Sequence, residues 1–284
     1  MAGFTSYDDL INQSTVNGQQ LTWDFFKIGP TLQGAGSWGS LWTAAGSPGA
    51  GADPALDGSS AVWDSVAGSM NWADDGAHNK VMVSFGAVGT QNCTLQLVDR
   101  LVGVLGATSA LTSTGNKQMR TAALDRYTTT AAAVVEAWLE ITAATTTGST
   151  CAVQLANSGG GTNPGYTNEG GTSGRQGTVL TFPAAVTVLR YMAKLPLAAG
   201  DKGVRSAENL WVSVAATTTG TAAIILQRPI CTIPIVANLW NERDTVLQYA
   251  ALPRIYDKAS LAIQQLGTAA TATTFWGTVR LAYN

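Results

Sequence analysis

The chain carries one histidine, His78. A Ser-His-Asp or Cys-His device would have to use it, because no other side chain offers an imidazole base. It lies in Asp74-Asp75-Gly76-Ala77-His78-Asn79, a turn composition, and no GxSxG nucleophile motif accompanies it. A solvated turn is the better reading. Asp74 and Asp75, with Asn71 and Asn79, offer oxygens to a calcium ion, but the ligand spacing of an EF-hand loop is absent. Glu136 and Glu140 fall on one face of an expected strand, about 13 Å apart by strand rise. That exceeds both carboxylate spacings used by glycosidases, so the pair is expected on the outward polar face of a sheet. Cys93, Cys151 and Cys231 are far apart, odd in number and without a CxxC pair. They are expected as small core residues rather than a disulfide framework or a metal site. Gly159-Gly160-Gly161 and Gly170-Gly171-Thr172-Ser173-Gly174-Arg175 lack the P-loop lysine. The expectation is no catalytic residue, no cofactor and no metal, hence not an enzyme.

From about residue 80 onward the chain alternates with period 2. Val81, Val83 and Phe85 alternate with Met82 and Ser84, and Cys93, Leu95 and Leu97 with Thr94 and Gln96. Val135, Ala137, Leu139 and Ile141 alternate with Glu136, Trp138 and Glu140; Cys151, Val153 and Leu155 follow. Val186 and Val188, then Leu210, Val212 and Val214, continue the pattern. At the end, Phe275, Gly277, Val279, Leu281 and Tyr283 share one face, with Trp276, Thr278 and Arg280 on the other. Such alternation places strands with one face on a core. The connectors at 143–150, 157–177, 215–221 and 267–274 are turn material, and the Thr-Thr-Thr runs at 128–130, 145–147 and 217–219 suit strand edges. Residues 98–102 and 239–252 read as short helices or bends. The fold class expected is mainly β: an antiparallel β-sandwich or jelly-roll-like domain over 91–284.

Residues 1–90 read differently. Ser6 before Tyr7-Asp8-Asp9-Leu10-Ile11 suits a capped helical turn, and 18–27 a short strand. From 29 to 57 the chain is rich in Gly, Ser, Ala and Pro, and regular structure is not expected. Yet five of the nine tryptophans fall in this region: Trp23, Trp38, Trp42, Trp63 and Trp72. Each can bury roughly 200 Å². The region reads as an extended N-terminal arm, with these five as candidate partner contacts. The competing reading is that they finish the core of the same chain.

Composition narrows the function classes. Only 12% of residues are charged against 45% hydrophobic, and 31 are Gly. Nine tryptophans argue against disorder. Low charge then points to a surface covered by partners. The net charge is −2 and the basic residues stand singly, so no stripe exists to neutralise nucleic-acid phosphates. No run of about 18 apolar residues suggests a membrane span. The acidic start, MAGFTSYDDL, does not look like an export signal. Synthesis in a reducing cytoplasm fits the dispersed cysteines.

One set of strings goes beyond pattern. LPLAAGDKGVRS at 195–206 resembles a PLxAGDxGVRS string of virion proteins of tailed phages, and YTNEGGTSGR at 166–175 resembles the YTNxxGTxGR stretch that precedes it there. LQLVDRL at 95–101 and VEAWLEI at 135–141 are similar to the same group. The resemblance spans most of 90–235 and is weaker before it. It implies a capsid cement or decoration protein, a homotrimer on the head exterior that seals joints between capsomers of the major capsid protein. The absence of a long amphipathic helix in the pattern argues against a typical major capsid protein. Arg175 and Arg205 either cap carbonyls, pair with Asp201 or Glu169, or are plain surface charge. A tail or head-spike adhesion module that binds carbohydrate through Trp138, Trp211 and Trp276 is the alternative.

Overall fold

The structure is a computed structural model. It describes residues 4, 6–32, 34–55, 59–64, 66–72, 79–105, 111–128, 135–144, 151–156, 165–182, 189–216, 220–248 and 252–284. The chain opens with helix α1 (Tyr7–Ile11) and a π-helical turn (Asn12–Val16), then strands β1 (Gln20–Ile28), β2 (Trp38–Ser40), β3 (Gly46–Ser47) and β4 (Ser60–Val62). Next come β5 (Lys80–Gly89), β6 (Cys93–Val104), β7 (Gly115–Gln118), β8 (Glu136–Ala143), β9 (Cys151–Gln154) and β10 (Tyr166–Asn168). They are followed by β11 (Leu180–Phe182), β12 (Tyr191–Lys194), β13 (Val204–Ala207), β14 (Asn209–Val214) and β15 (Thr221–Ile235). The chain ends with β16 (Asn241–Asp244), α2 (Thr245–Gln248), β17 (Arg254–Ile255), β18 (Leu261–Gly267) and β19 (Thr274–Tyr283).

The expectation of a mainly β, antiparallel, sandwich-like fold holds. One sheet runs β16-β5-β19-β1-β3, with β17 also on β5. A second runs β11-β9-β14-β7. Between them, the order β15-β8-β12-β2-β18-β6 closes on itself through a β15–β6 ladder, so these six strands form a ring, with β4 added beside β6. Closure removes sheet edges that would otherwise invite pairing.

Each layer has its own apolar filling. The six-stranded sheet packs Phe25, Phe85, Phe275, Val279 and Leu281 against Leu95, Leu97, Ile233 and Ile263 on the outside of the ring. The four-stranded sheet packs Val153, Leu210 and Val212 against Leu139, Ile141, Ile224 and Leu226 on another side. The long strands β6 and β15 contribute to both cores. Burying each of these large side chains contributes about 1.5–3 kcal/mol. All three cysteines, Cys93, Cys151 and Cys231, lie buried in these cores. Burial pushes the Cys93 thiol up to about 12 and the Cys151 thiol up to about 11, because a thiolate is disfavoured away from water.

Several local expectations hold. The Ser6 side chain caps α1 by accepting from the Asp9 amide. In β19 the alternation is clean, with Phe275, Val279 and Leu281 inward and Trp276 and Arg280 outward. Others need correction. Residues 98–102 are neither helix nor bend but the middle of β6. Among the described residues of 239–252, the short helix expected is present as α2, but it follows strand β16. Thr221–Ile235 form one long strand, β15, in spite of Pro229 and Pro234. Its β8 ladder stops at Gln227, so Pro229 and Pro234 fall where no β8 partner asks for their missing N–H.

The expected division at residue 90 does not separate an arm from a domain. β1 sits between β19 and β3 inside a sheet. β2, within the Gly-rich 29–57 stretch, is inserted between β12 and β18 and completes the ring. β4 pairs β6. The β5–β6 turn itself crosses the proposed boundary. The physical reason is that three consecutive residues can satisfy a ladder on both sides without leaving a period-2 signature.

Candidate interaction surfaces

The five N-terminal tryptophans turn inward to different degrees. Trp42 and Trp63 are 1% and 4% exposed and meet edge to face at 5.6 Å. Arg100 lies over both rings, 4.8 and 4.6 Å from their centroids. Trp63 packs so closely over Gly103 that a Cβ there would sit 2.1 Å from the indole. Trp42 donates its Nε1–H to the Ala52 carbonyl at 2.9 Å. As partner contacts, these two are corrected: the chain consumes them. Trp38, half-buried, meets Trp138 at 5.7 Å, and Trp23 meets Trp72 at 5.8 Å, both edge to face. Trp23 and Trp72 pack on the margin of the core beneath the six-stranded sheet.

Where the sequence pattern promised a solvent face, the inside of the ring holds a buried apolar cluster that includes Trp42, Trp63, Val98, Trp138, Met192 and Ile225, with polar side chains paired beside it. Glu140, 1% exposed, accepts from Arg100 Nη2 at 2.8 Å, and Arg100 Nη1 donates to Ser40 Oγ at 3.3 Å. Gln227 Nε2 donates to Gln264 Oε1 at 2.8 Å, and Gln264 Nε2 to Gln96 Oε1 at 2.5 Å. Beside them Asp99 takes Arg126 in a fork, Nε at 3.0 Å and Nη2 at 2.9 Å, and accepts the Ser260 amide. Trp138 is buried in the same interior, its Nε1–H on Glu136 Oε2 at 2.9 Å; Lys194 also pairs with Glu136. The outward placement expected for Trp138 and Glu140 is therefore overturned, while Glu136 is half-buried beside the exposed Lys194. β8 has no solvent face, since one side covers the apolar core and the other lines a closed ring.

The strings at 166–175 and 195–206 meet in one clamp. β10 pairs β13, which aligns the loops beyond them. Asp201 accepts from Arg175 Nε at 2.8 Å and Nη2 at 3.1 Å, from the Tyr166 hydroxyl at 2.5 Å and from Asn168 Nδ2 at 2.9 Å. Hydrogen bonding from Arg175 above all holds the Asp201 carboxyl down at about 2. Burial first, then the Asp201 contact, pushes the Tyr166 phenol up to about 12. Glu169 Oε2 accepts the Lys202 and Gly203 amides at 3.1 and 3.0 Å, and Arg205 Nε caps the Glu169 carbonyl at 2.8 Å. The two arginines thus divide the roles left open: Arg175 pairs with Asp201, and Arg205 caps a carbonyl.

One surface was missed. The outer face of the six-stranded sheet carries Phe26, Val88, Trp276, Thr278, Asp24, Arg280 and Glu242 by register. Trp240 lies over Gly86, where a Cβ would come within 2.6 Å of the indole. Trp240 and Trp276 are 51% and 46% exposed. The turn before β16 adds Val236 and Leu239, both exposed. It is held by Asn238 N on the Gly89 carbonyl at 2.8 Å and by Asn241 Nδ2 on the Leu239 carbonyl at 2.7 Å. A large aromatic in turn composition was the available signal.

Asp74, Asp75 and His78, the glycines at 159–161, Val186 and Val188, and the threonines at 129–130, 145–147 and 217–219 lie outside the described residues. Among the described residues, no three His, Cys, Asp or Glu side chains gather as a metal site, and no helix is long and apolar enough to cross a membrane. Comparison with family models, curated proteins and solved structures finds no match to this chain.

Proposed function

We propose that the chain is a non-catalytic structural protein of a phage virion, a cement or decoration protein on the outer surface of the head. It acts as a homotrimer that binds the major capsid protein and stabilises joints between capsomers. The observation that carries this reading is where the charge goes. In a chain of 16 basic and 18 acidic residues, Lys27, Lys80, Asp99, Arg100, Lys117, Arg126 and Glu140 are all buried. Val62, Val179, Leu189, Val214, Val236, Leu239 and Leu247 are left exposed. A surface poor in charge and studded with large aliphatics suits one that partners cover.

The mechanism is burial of apolar area between subunits. About 1,600 Å² of total interface supports specific binding, and many copies on a lattice add avidity. Closed ladders and the clamp around Asp201 supply a rigid body for that task. The net charge of −2 suits the shell exterior rather than the DNA side. The test is addition of purified chain to heads that lack it. Heads that gain resistance to heat-driven DNA release support the role; unchanged release at saturating chain contradicts it. Exposed Trp276 and Trp240 favour, as a second reading, an adhesion module that contacts carbohydrate; Trp138 no longer supports it.

A further inference from the structure

The outer face of the six-stranded sheet holds two solvent-facing indoles in a setting that is not uniformly apolar. Gly86 stands opposite Thr278 on the neighbouring strand, and Trp276 opposite Val88. Trp276 is thus the diagonal neighbour of Gly86, about 7–8 Å away on an antiparallel pair. Because Gly86 has no side chain, the Trp240 ring occupies that space against the sheet. Its Nε1–H is held by Glu242 Oε2 at 3.1 Å, which fixes the ring's orientation. Trp276 is steadied by Phe26 at 5.4 Å. Between and beside the rings stand hydrogen-bonding groups: Thr278 donates to Asp24 Oδ1 at 2.8 Å, and Arg280 Nη1 lies 4.0 Å from Glu242 Oε1.

We propose that this face binds a saccharide chain. A pyranose ring offers a face of C–H bonds and a rim of hydroxyls. The electron-rich faces of Trp240 and Trp276 match the first. The carboxylates of Asp24 and Glu242, which accept, and the guanidinium of Arg280, which donates, match the second. A protein partner fits this face less well, because the centre of a protein interface is depleted in charge, whereas here Glu242, Arg280 and Asp24 border the rings directly. Trp276 sits on a paired strand, and Trp240, in the turn just before β16, is tied to Glu242 by its Nε1–H, so little ordering is needed on binding. The site does not depend on the capsid reading, since a head protein or an adhesion module can carry it.

The experiment uses the full chain on a printed glycan array, followed by calorimetric titration with the array's best ligand or, failing one, with cellohexaose, maltohexaose and chitohexaose. Binding of at least one saccharide is expected, weakened about tenfold or more by Trp240→Ala and by Trp276→Ala, and unchanged by Val16→Ala, a control at an exposed position away from this face. Circular dichroism of the variants confirms that they fold. No retention of any array member and no heat with the three hexasaccharides at millimolar concentration overturns the proposal. So does saccharide binding that survives the Trp240→Ala/Trp276→Ala double variant, or self-association of the chain that those two substitutions abolish.

Discussion

Glu140 and Arg100 face each other inside the ring with almost no access to water. An ion pair in such a place is a poor source of net stability, but breaking it leaves one charge stranded. Glu140→Gln should therefore cost about 3–5 kcal/mol in chemical denaturation, while the paired change Arg100→Met with Glu140→Leu should recover most of that loss. A single substitution that is neutral would contradict the buried pairing. Asp201 is the second sensitive residue. Its folded carboxyl is held at about 2, below an unfolded value of about 3.9. The sign follows: its contribution is complete above pH about 4 and fades as the pH falls through about 2. Asp201→Asn should cost about 2 kcal/mol near pH 6, from weakened charge-assisted bonds. Denaturation curves of the two proteins should converge towards pH 2; a gap that stays constant with pH would contradict the clamp. The sequence flagged Asp201 and Arg175 through their strings and left their partners open, because a turn residue's partner depends on which loop the β10–β13 ladder brings alongside.

At the scale of elements, β1 and β2 are interior strands, each paired on both sides. Removing residues 1–60 should open the ring and expose the core faces of β19, β12 and β18. The truncated chain is expected to lack a cooperative unfolding transition and to be rapidly cleaved by protease. A truncated chain with a sharp transition would restore the view of this region as an arm. Elements differ in how legible they were. β19 was readable because up to Arg280 one face meets core and the other points outward; only beyond the register shift at Arg280/Leu281 do neighbours, Leu281 and Ala282, both become buried. β8 was read as a strand but given the wrong environment, since a strand with both faces buried looks half-polar when the buried polar residues pair with each other, as Glu140 does with Arg100. β2 was invisible: three residues, Trp38, Gly39 and Ser40, carry no periodicity, and only closure of the ring explains their place. Trp240 carries no periodic signal, because its place over the sheet depends on Gly86, a residue of β5 distant in sequence.

At the scale of the molecule, the two flanking sheets and the central ring give a body whose long-range ladders resist local opening. Size-exclusion chromatography with light scattering should give three times the 29.4 kDa chain mass; a clean monomer at high concentration would count against the homotrimer. The central claim concerns position, and cryo-electron microscopy of intact virions tests it most directly. The account predicts density for this three-layered β body in many copies on the outer shell, at the joints between capsomers. Density confined to the tail tip in a few copies, or none on the particle, would contradict it.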